Sequence, residues 1–245
     1  MTMKARRKRL QRWLRRGSAA LLILGPPAAI ALWLAFEHKP GWYRPAEVTE
    51  DSFQRAQADT ATLAEAVSQG VVAGGSFEVS VAAGAVNEWL ACLPRLLPEE
   101  DDLLPPGVSR PAVQFTSKGL RVGADVHYRG WRAILSVGLT VSISDDGQTV
   151  RIALTDVRGG SLPVPRAALA RALEPLLQSG IGSDDAGRSR PGSPKRMLQG
   201  LKSVDDLYGG VTLRNRFVWP NGERPFRLEA ISFEEGAVRV RLDPL

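Results

Sequence analysis

Residues 120–154 read LRVGADVHYRGWRAILSVGLTVSISDDGQTVRIAL, and their period decides the fold. Leu120, Val122, Ala124, Val126 and Tyr128 alternate with Arg121, Gly123, Asp125 and His127. Successive side chains of a strand point to opposite faces, so this pattern predicts a strand with one apolar face. Gly130-Trp131 is a plausible turn. Ala133, Leu135, Val137, Leu139, Val141 and Ile143 repeat the alternation over a run long for a strand. Ser144-Asp145-Asp146-Gly147-Gln148 is a turn cluster with Asp-Gly at its centre. Val150, Ile152 and Leu154 continue a third strand. Residues 112–158 thus predict an antiparallel meander of three or four strands sharing one apolar face.

On the C-terminal side, Gly159-Gly160-Ser161-Leu162-Pro163-Val164-Pro165 closes the meander. Arg166 to Gln178 predicts a helix with Leu169, Leu173, Leu176 and Leu177 as its stripe, weakened near its end by Pro175. Residues 179–196 lack periodicity and hold Gly, Ser, Pro and charge, which predicts a flexible loop. A short helix is expected between Met197 and Tyr208. Val211, Leu213, Asn215, Phe217 and Trp219 then share a strand face. Two further strands carry Phe226, Leu228 and Ala230, and Val238, Val240 and Leu242.

On the N-terminal side, residues 99–111 form an acidic, proline-rich loop. Ala82 to Leu93 predicts a helix with Val86, Trp89, Leu90 and Leu93 on one face, and Phe77 to Val81 predicts a half-buried strand. Thr49-Glu50-Asp51-Ser52 reads as a helix start, with acids where the N-terminal dipole favours them. That helix is expected to run to about Ser68, with Gly70, Gly74 and Gly75 ending it. The order of elements is α+β rather than parallel βαβ units. It predicts a curved, mainly antiparallel sheet packed against two to four helices, over residues 49–245.

Gly17 to Phe36 (GSAALLILGPPAAIALWLAF) is an uncharged run of twenty residues. A helix needs about 20 such residues to cross a hydrocarbon core roughly 30 Å thick. Residues 1–16 carry eight cations, among them Arg12, Arg15 and Arg16, and no anion. That bias places a basic tail in the cytoplasm and the rest of the chain outside it. Trp13 at one end, and Trp33 and Trp42 at the other, stand where interfacial aromatics would anchor a single-pass helix. Gly25-Pro26-Pro27 would kink it. A cleaved signal peptide shares the charged start, but the exit LAFEHKP offers no small-residue cleavage site. Residues 37–48, with two prolines and a glycine, read as a short stiff spacer. The expected location is the inner membrane, with an extracytoplasmic C-terminal domain.

The net charge is +6, yet residues 17–245 sum to −2, so the basic character belongs to the tail. A near-neutral body argues against nucleic acid as a partner. Two histidines, His38 and His127, lie far apart, and the single cysteine, Cys92, excludes an internal disulfide. No spacing of metal ligands, nucleophile elbow or phosphate-binding glycine loop is present. Glu99-Glu100-Asp101-Asp102 lacks the alternating ligands of a calcium loop and reads as solvated. Cys92, between Ala91 and Leu93, reads as a small buried hydrophobe. No cofactor and no catalytic residue are assigned.

The stretch FEVSVAAGAVNEWLACL (77–93) pairs a strand with a helix carrying Asn87 before Trp89-Leu90. VSISDDGQTVRIALTDVRGGSLPVPRAAL (141–169) reads strand, acidic-Gly turn, strand, Gly, Leu-Pro-x-Pro and helix. With the basic tail and apolar run, these resemble the YpmS-like bacterial membrane-anchored proteins. More remotely, the order of elements is similar to small bacterial relatives of the tubular lipid-binding fold. That second likeness implies a long curved sheet around a helix and an apolar groove. The residues expected to line a groove are Trp89, Leu90, Leu135, Val137, Leu139, Leu169, Leu173 and Phe217.

The expected function is therefore non-enzymatic. It is a membrane-anchored domain binding a lipid or other apolar envelope ligand, as concave apolar sites do. The alternatives are a structural protein docking through its surface loops, an envelope enzyme assembled from scattered carboxylates, and a sheet face that is simply filled core.

Overall fold

Thr49 sets the start of the first long helix. Its hydroxyl accepts the Ser52 N–H, and the Ser52 hydroxyl accepts the Thr49 N–H, a reciprocal cap that satisfies two donors at the helix start. The computed structural model describes residues 25–97, 104, 106–128, 130–171, 204–218 and 224–245. Among them residues 25–37 are helical (α1), followed by α2 (Glu50–Ala73), β1 (Phe77–Ala82), α3 (Ala83–Leu96) and β2 (Val108–Thr116). Next come β3 (Gly119–Tyr128), β4 (Trp131–Ile143), β5 (Thr149–Gly159), β6 (Leu162–Pro163) and a helical stretch at residues 166–171 (α4). The chain closes with α5 (Val204–Gly209), β7 (Val211–Arg214), β8 (Phe217–Val218), β9 (Pro225–Glu234) and β10 (Ala237–Pro244).

The α+β class and the antiparallel meander are as the sequence predicts. The single sheet is not: the strands form a four-stranded sheet, β1-β10-β9-β8, and a six-stranded sheet, β2-β3-β4-β5-β6, with β7 paired to β5. The division falls at Asn215. The alternation from Val211 to Trp219 reads as one strand, but β7 joins β5 while β8 joins β9. Asn215 is buried between them. Its amide donates to the carbonyls of Gly147 (2.9 Å) and Leu228 (2.8 Å) and accepts the Leu228 N–H (2.8 Å). A buried polar side chain needs such partners, and these lie on the β4–β5 turn of one sheet and on β9 of the other.

The four-stranded sheet is covered by α2. Val67 and Val71 pack on Phe226 and Leu242, with Leu63, Phe77, Val79, Phe217, Leu228 and Val240 around them. Gly70 does not end the helix as expected. The Phe77 ring fills the place that a side chain at Gly70 would take, so glycine permits the approach of β1. The helix stops at Gly74, which is left-handed (φ 74°). The helix α3 seals an edge. The Asn87 side chain accepts the Val113 N–H (2.6 Å) and donates to the Val113 carbonyl (3.0 Å), satisfying the outer strand β2. Strand β2 also begins inside the expected loop at 99–111. Cys92 is fully buried, beside Ser52, as its apolar neighbours suggest.

No helix among the described residues is long and apolar enough to cross a membrane. At about 1.5 Å per residue, the described α1 spans roughly 20 Å, short of a hydrocarbon core. Residues 17–24 of the uncharged run lie outside the described residues, as do Arg12, Trp13, Arg15, Arg16, Leu173 and the loop at 179–196.

Candidate functional site

The two faces of the six-stranded sheet are used differently. One carries the aliphatic ladder that the sequence predicts. Leu120 stands opposite Leu139, Val122 opposite Val137, Ala124 opposite Leu135, and Val157 continues the row on β5. The other face carries Arg121, Gly123, Asp125, Ile134, Ser136 and Gly138. Sequence alternation makes the aliphatic face the core, but burial reverses this in part. Asp125, Ile134 and Ser136 are buried, while Leu135 is 40% exposed and Val122, Val137 and Leu139 are only half-buried.

The cause is the stretch expected to be a free spacer. Beyond the end of α1, residues 38–48 contain no helix or strand, but Tyr43 is 2% exposed and packs on Ala112 and Ile134, with Trp42 beside it. Gly123 makes room: a Cβ there would lie 2.6 Å from the Trp42 ring. The Tyr43 hydroxyl donates to the Arg110 carbonyl at 2.6 Å. Arg110 has φ 52°, an uncommon conformation for a residue with a side chain, at the point where the β2–β3 register shifts. Trp42 thus lies against the sheet, with the Arg121 guanidinium 5.7 Å from its ring.

Beside Tyr43 sits the one buried carboxylate among the described residues. Asp125 accepts from Arg132 Nε (3.1 Å) and Nη2 (2.5 Å), and His127 Nδ1 lies 3.7 Å away. The hydrogen bonds from Arg132 hold the Asp125 carboxyl below the usual carboxylate range, against the opposing effect of burial. Burial, then the Asp125 charge, pushes the Tyr43 phenol above its ordinary value. A carboxylate paired with a guanidinium and kept ionised is a poor proton shuttle. The cluster fastens β3, β4 and the 42–43 segment together. His127 lies on the polar side of β3, as expected. Among the described residues no group of three His, Cys, Asp or Glu side chains could hold a metal ion.

The aliphatic face is bounded by aromatic rings at each end. At one end Phe36 packs over Gly159, where a Cβ would be 2.6 Å from its ring, and Gly159 stands opposite Leu135. The Ala35 carbonyl accepts the Ser161 N–H at 2.9 Å. Trp33 meets Trp131 at 4.6 Å between ring centroids, and Phe36 meets Trp131 edge-on at 6.4 Å. At the other end Phe115, in register with Leu120 and Leu139, meets Phe233 of the second sheet at 6.2 Å. Between these ends an apolar strip carries Leu135, which is exposed, and Val137 and Leu139, which are half-buried.

The expected groove residues therefore divide. Leu135, Val137 and Leu139 share the strip. Phe217 belongs instead to the filled core under α2. Trp89 and Leu90 lie on α3, where Trp89 is 37% exposed. Leu169 is half-buried on α4. Sequence reasoning missed Trp131, Phe36 and Tyr43. Trp131 opens a strand on the same parity as Leu135, a signal that places it on the strip. Nothing local in the sequence marks Tyr43 as core.

No protein-family model matches the chain, and comparison with curated proteins and with solved structures finds nothing similar.

Proposed function

We propose that this chain is a membrane-anchored, non-enzymatic domain that holds a lipid or other apolar envelope ligand on the aliphatic strip of its six-stranded sheet. The observation that carries the reading is Leu135, 40% exposed in the middle of a β-ladder of valine, leucine and alanine. Exposed apolar area of this kind marks binding surfaces rather than finished cores. Among the described residues the strip is elongated, walled by aromatic rings at both ends and lined by aliphatic side chains, which suits a hydrocarbon chain better than a polar substrate.

The anchor belongs to the same reading. The uncharged run from Gly17 to Phe36 and its eight preceding cations support a span with the N-terminus in the cytoplasm. Within α1, Ile30, Leu32 and Leu34 are each more than half exposed, which is costly in water and natural in lipid. The bilayer is then one partner and the bound apolar ligand the other.

The test is lipid extraction and native mass spectrometry of the purified full chain. Wild type should retain lipid, and Leu135→Asp should lose most of it, while Ser142→Asp on the opposite parity should not. Equal lipid in all three proteins would remove the strip as the site. A specific protein neighbour cross-linked at the strip would favour assembly over lipid binding.

A further inference from the structure

We propose that the Trp33–Phe36–Trp131 cluster seats this end of the six-stranded sheet in the membrane interface, so that the aliphatic strip opens directly onto the bilayer. The proposal rests on the anchor reading above and adds an orientation that the anchor alone does not supply.

Three observations fix the seat. There is no slack between helix and sheet, because the Ala35 carbonyl is already bonded to Ser161 and Phe36 already covers Gly159. Leu32 and Leu34, 57% and 62% exposed, lie within the last two turns before that junction. Trp33 and Trp131 touch at 4.6 Å and are 44% and 51% exposed, so both rings occupy the same depth and both remain accessible. Tryptophan is the side chain best suited to the boundary between acyl chains and headgroups. If Trp33 lies at that boundary, Trp131 must lie there too.

The chain also grips the sheet from both sides. Phe36 packs on the aliphatic face, whereas Trp42 and Tyr43 pack on the other, over Gly123 and Ile134. Residues 37–41 therefore pass around the sheet between two fastened points, and the domain cannot swing on a tether. His127 and Arg132, with side chains 52% and 61% exposed, stand on the polar side near the same end, at the level of lipid phosphates. From Trp131 the strip runs away from the membrane. At about 3.3 Å per residue, Leu135 lies roughly 13 Å along it, within reach of an acyl chain drawn from the interface.

The partner is thus the lipid surface itself, and the experiment measures depth. The full chain carrying Cys92→Ser, with a nitroxide at Ser161→Cys beside the seat or at Asp145→Cys on the β4–β5 turn, is reconstituted in phosphatidylethanolamine–phosphatidylglycerol vesicles. Collision with oxygen relative to a water-soluble nickel chelate should be several-fold higher at 161 than at 145. Quenching of tryptophan fluorescence by brominated lipids, in a chain that keeps Cys92, should fall on Trp131→Phe but not on Trp89→Phe. A protein that floats with vesicles but shows water-like values at 161 and no change with Trp131→Phe overturns the seat and leaves the anchor. A protein that does not float with vesicles overturns the anchor reading, and the seat with it.

Discussion

Tyr43 offers the most direct test of whether the segment after the apolar run is part of the domain. Replacing it with alanine removes a ring that is 98% buried and a hydroxyl that satisfies the Arg110 carbonyl. Burial of such a ring stabilises by about 1.5–3 kcal/mol, and the hydrogen bond adds about 1 kcal/mol. With the cavity left between Ala112 and Ile134, Tyr43→Ala should cost about 3–5 kcal/mol. Tyr43→Phe keeps the ring and should cost about 1 kcal/mol. For a domain of this size each kcal/mol lowers the melting temperature by about 2–4 °C. The expected losses are then about 6–20 °C for alanine and about 2–4 °C for phenylalanine, read by circular dichroism on the detergent-solubilised full chain. The sign of the alkaline dependence follows from the same residue. Its folded-state titration is raised, so its contribution is complete below the ordinary phenol range, near pH 10, and lost as pH rises through the folded value. An alanine variant that melts with wild type would refute the placement of residues 42–43 in the core, and with it the grip on both sheet faces.

Three further outcomes are expected. Asn215→Ala leaves the Leu228 N–H and two carbonyls without partners between the sheets, which should cost about 2–4 kcal/mol in chemical denaturation; a loss under about 0.5 kcal/mol would contradict its role as the stitch. The Asp125 carboxyl titrates below its unfolded value, so its contribution is present above about pH 4 and lost as pH falls through the folded value. Asp125→Asn should flatten that acid limb, whereas an unchanged acid profile would mean the ion pair is not formed in solution. Gly159→Val places side-chain atoms inside the Phe36 ring and should release α1 from the sheet, raising proteolysis between residues 37 and 48; an unaltered cleavage rate would contradict the contact.

Much of the fold is legible because period-two alternation and turn chemistry are local. The meander, its Asp-Gly turn and the strand-into-helix segment 77–93 each follow from residues within a few positions of one another. What the sequence hides is non-local. Asn215 occupies an apolar parity within an alternating run, and only its partners at Gly147 and Leu228 reveal that the chain changes sheets there. Gly70 reads as a helix stop until the Phe77 ring is seen against it. Tyr43 lies in a stretch that reads as a stiff spacer because proline and glycine surround it, whereas it packs on Ala112 and Ile134, and Gly123, eighty residues away, leaves room for the Trp42 ring beside it. The candidate strip was half visible: Leu135, Val137 and Leu139 follow from alternation, but which face of a sheet is covered depends on segments that alternation does not describe.

The central claim is that the strip around Leu135 and Leu139 holds lipid. A photoactivatable amino acid at Leu139 in the full chain, irradiated in cells and analysed by mass spectrometry, tests it most directly. The account predicts adducts with lipid acyl chains at Leu139 and none at the exposed Ser142. Adducts with a protein at Leu139, or none at all, would contradict it.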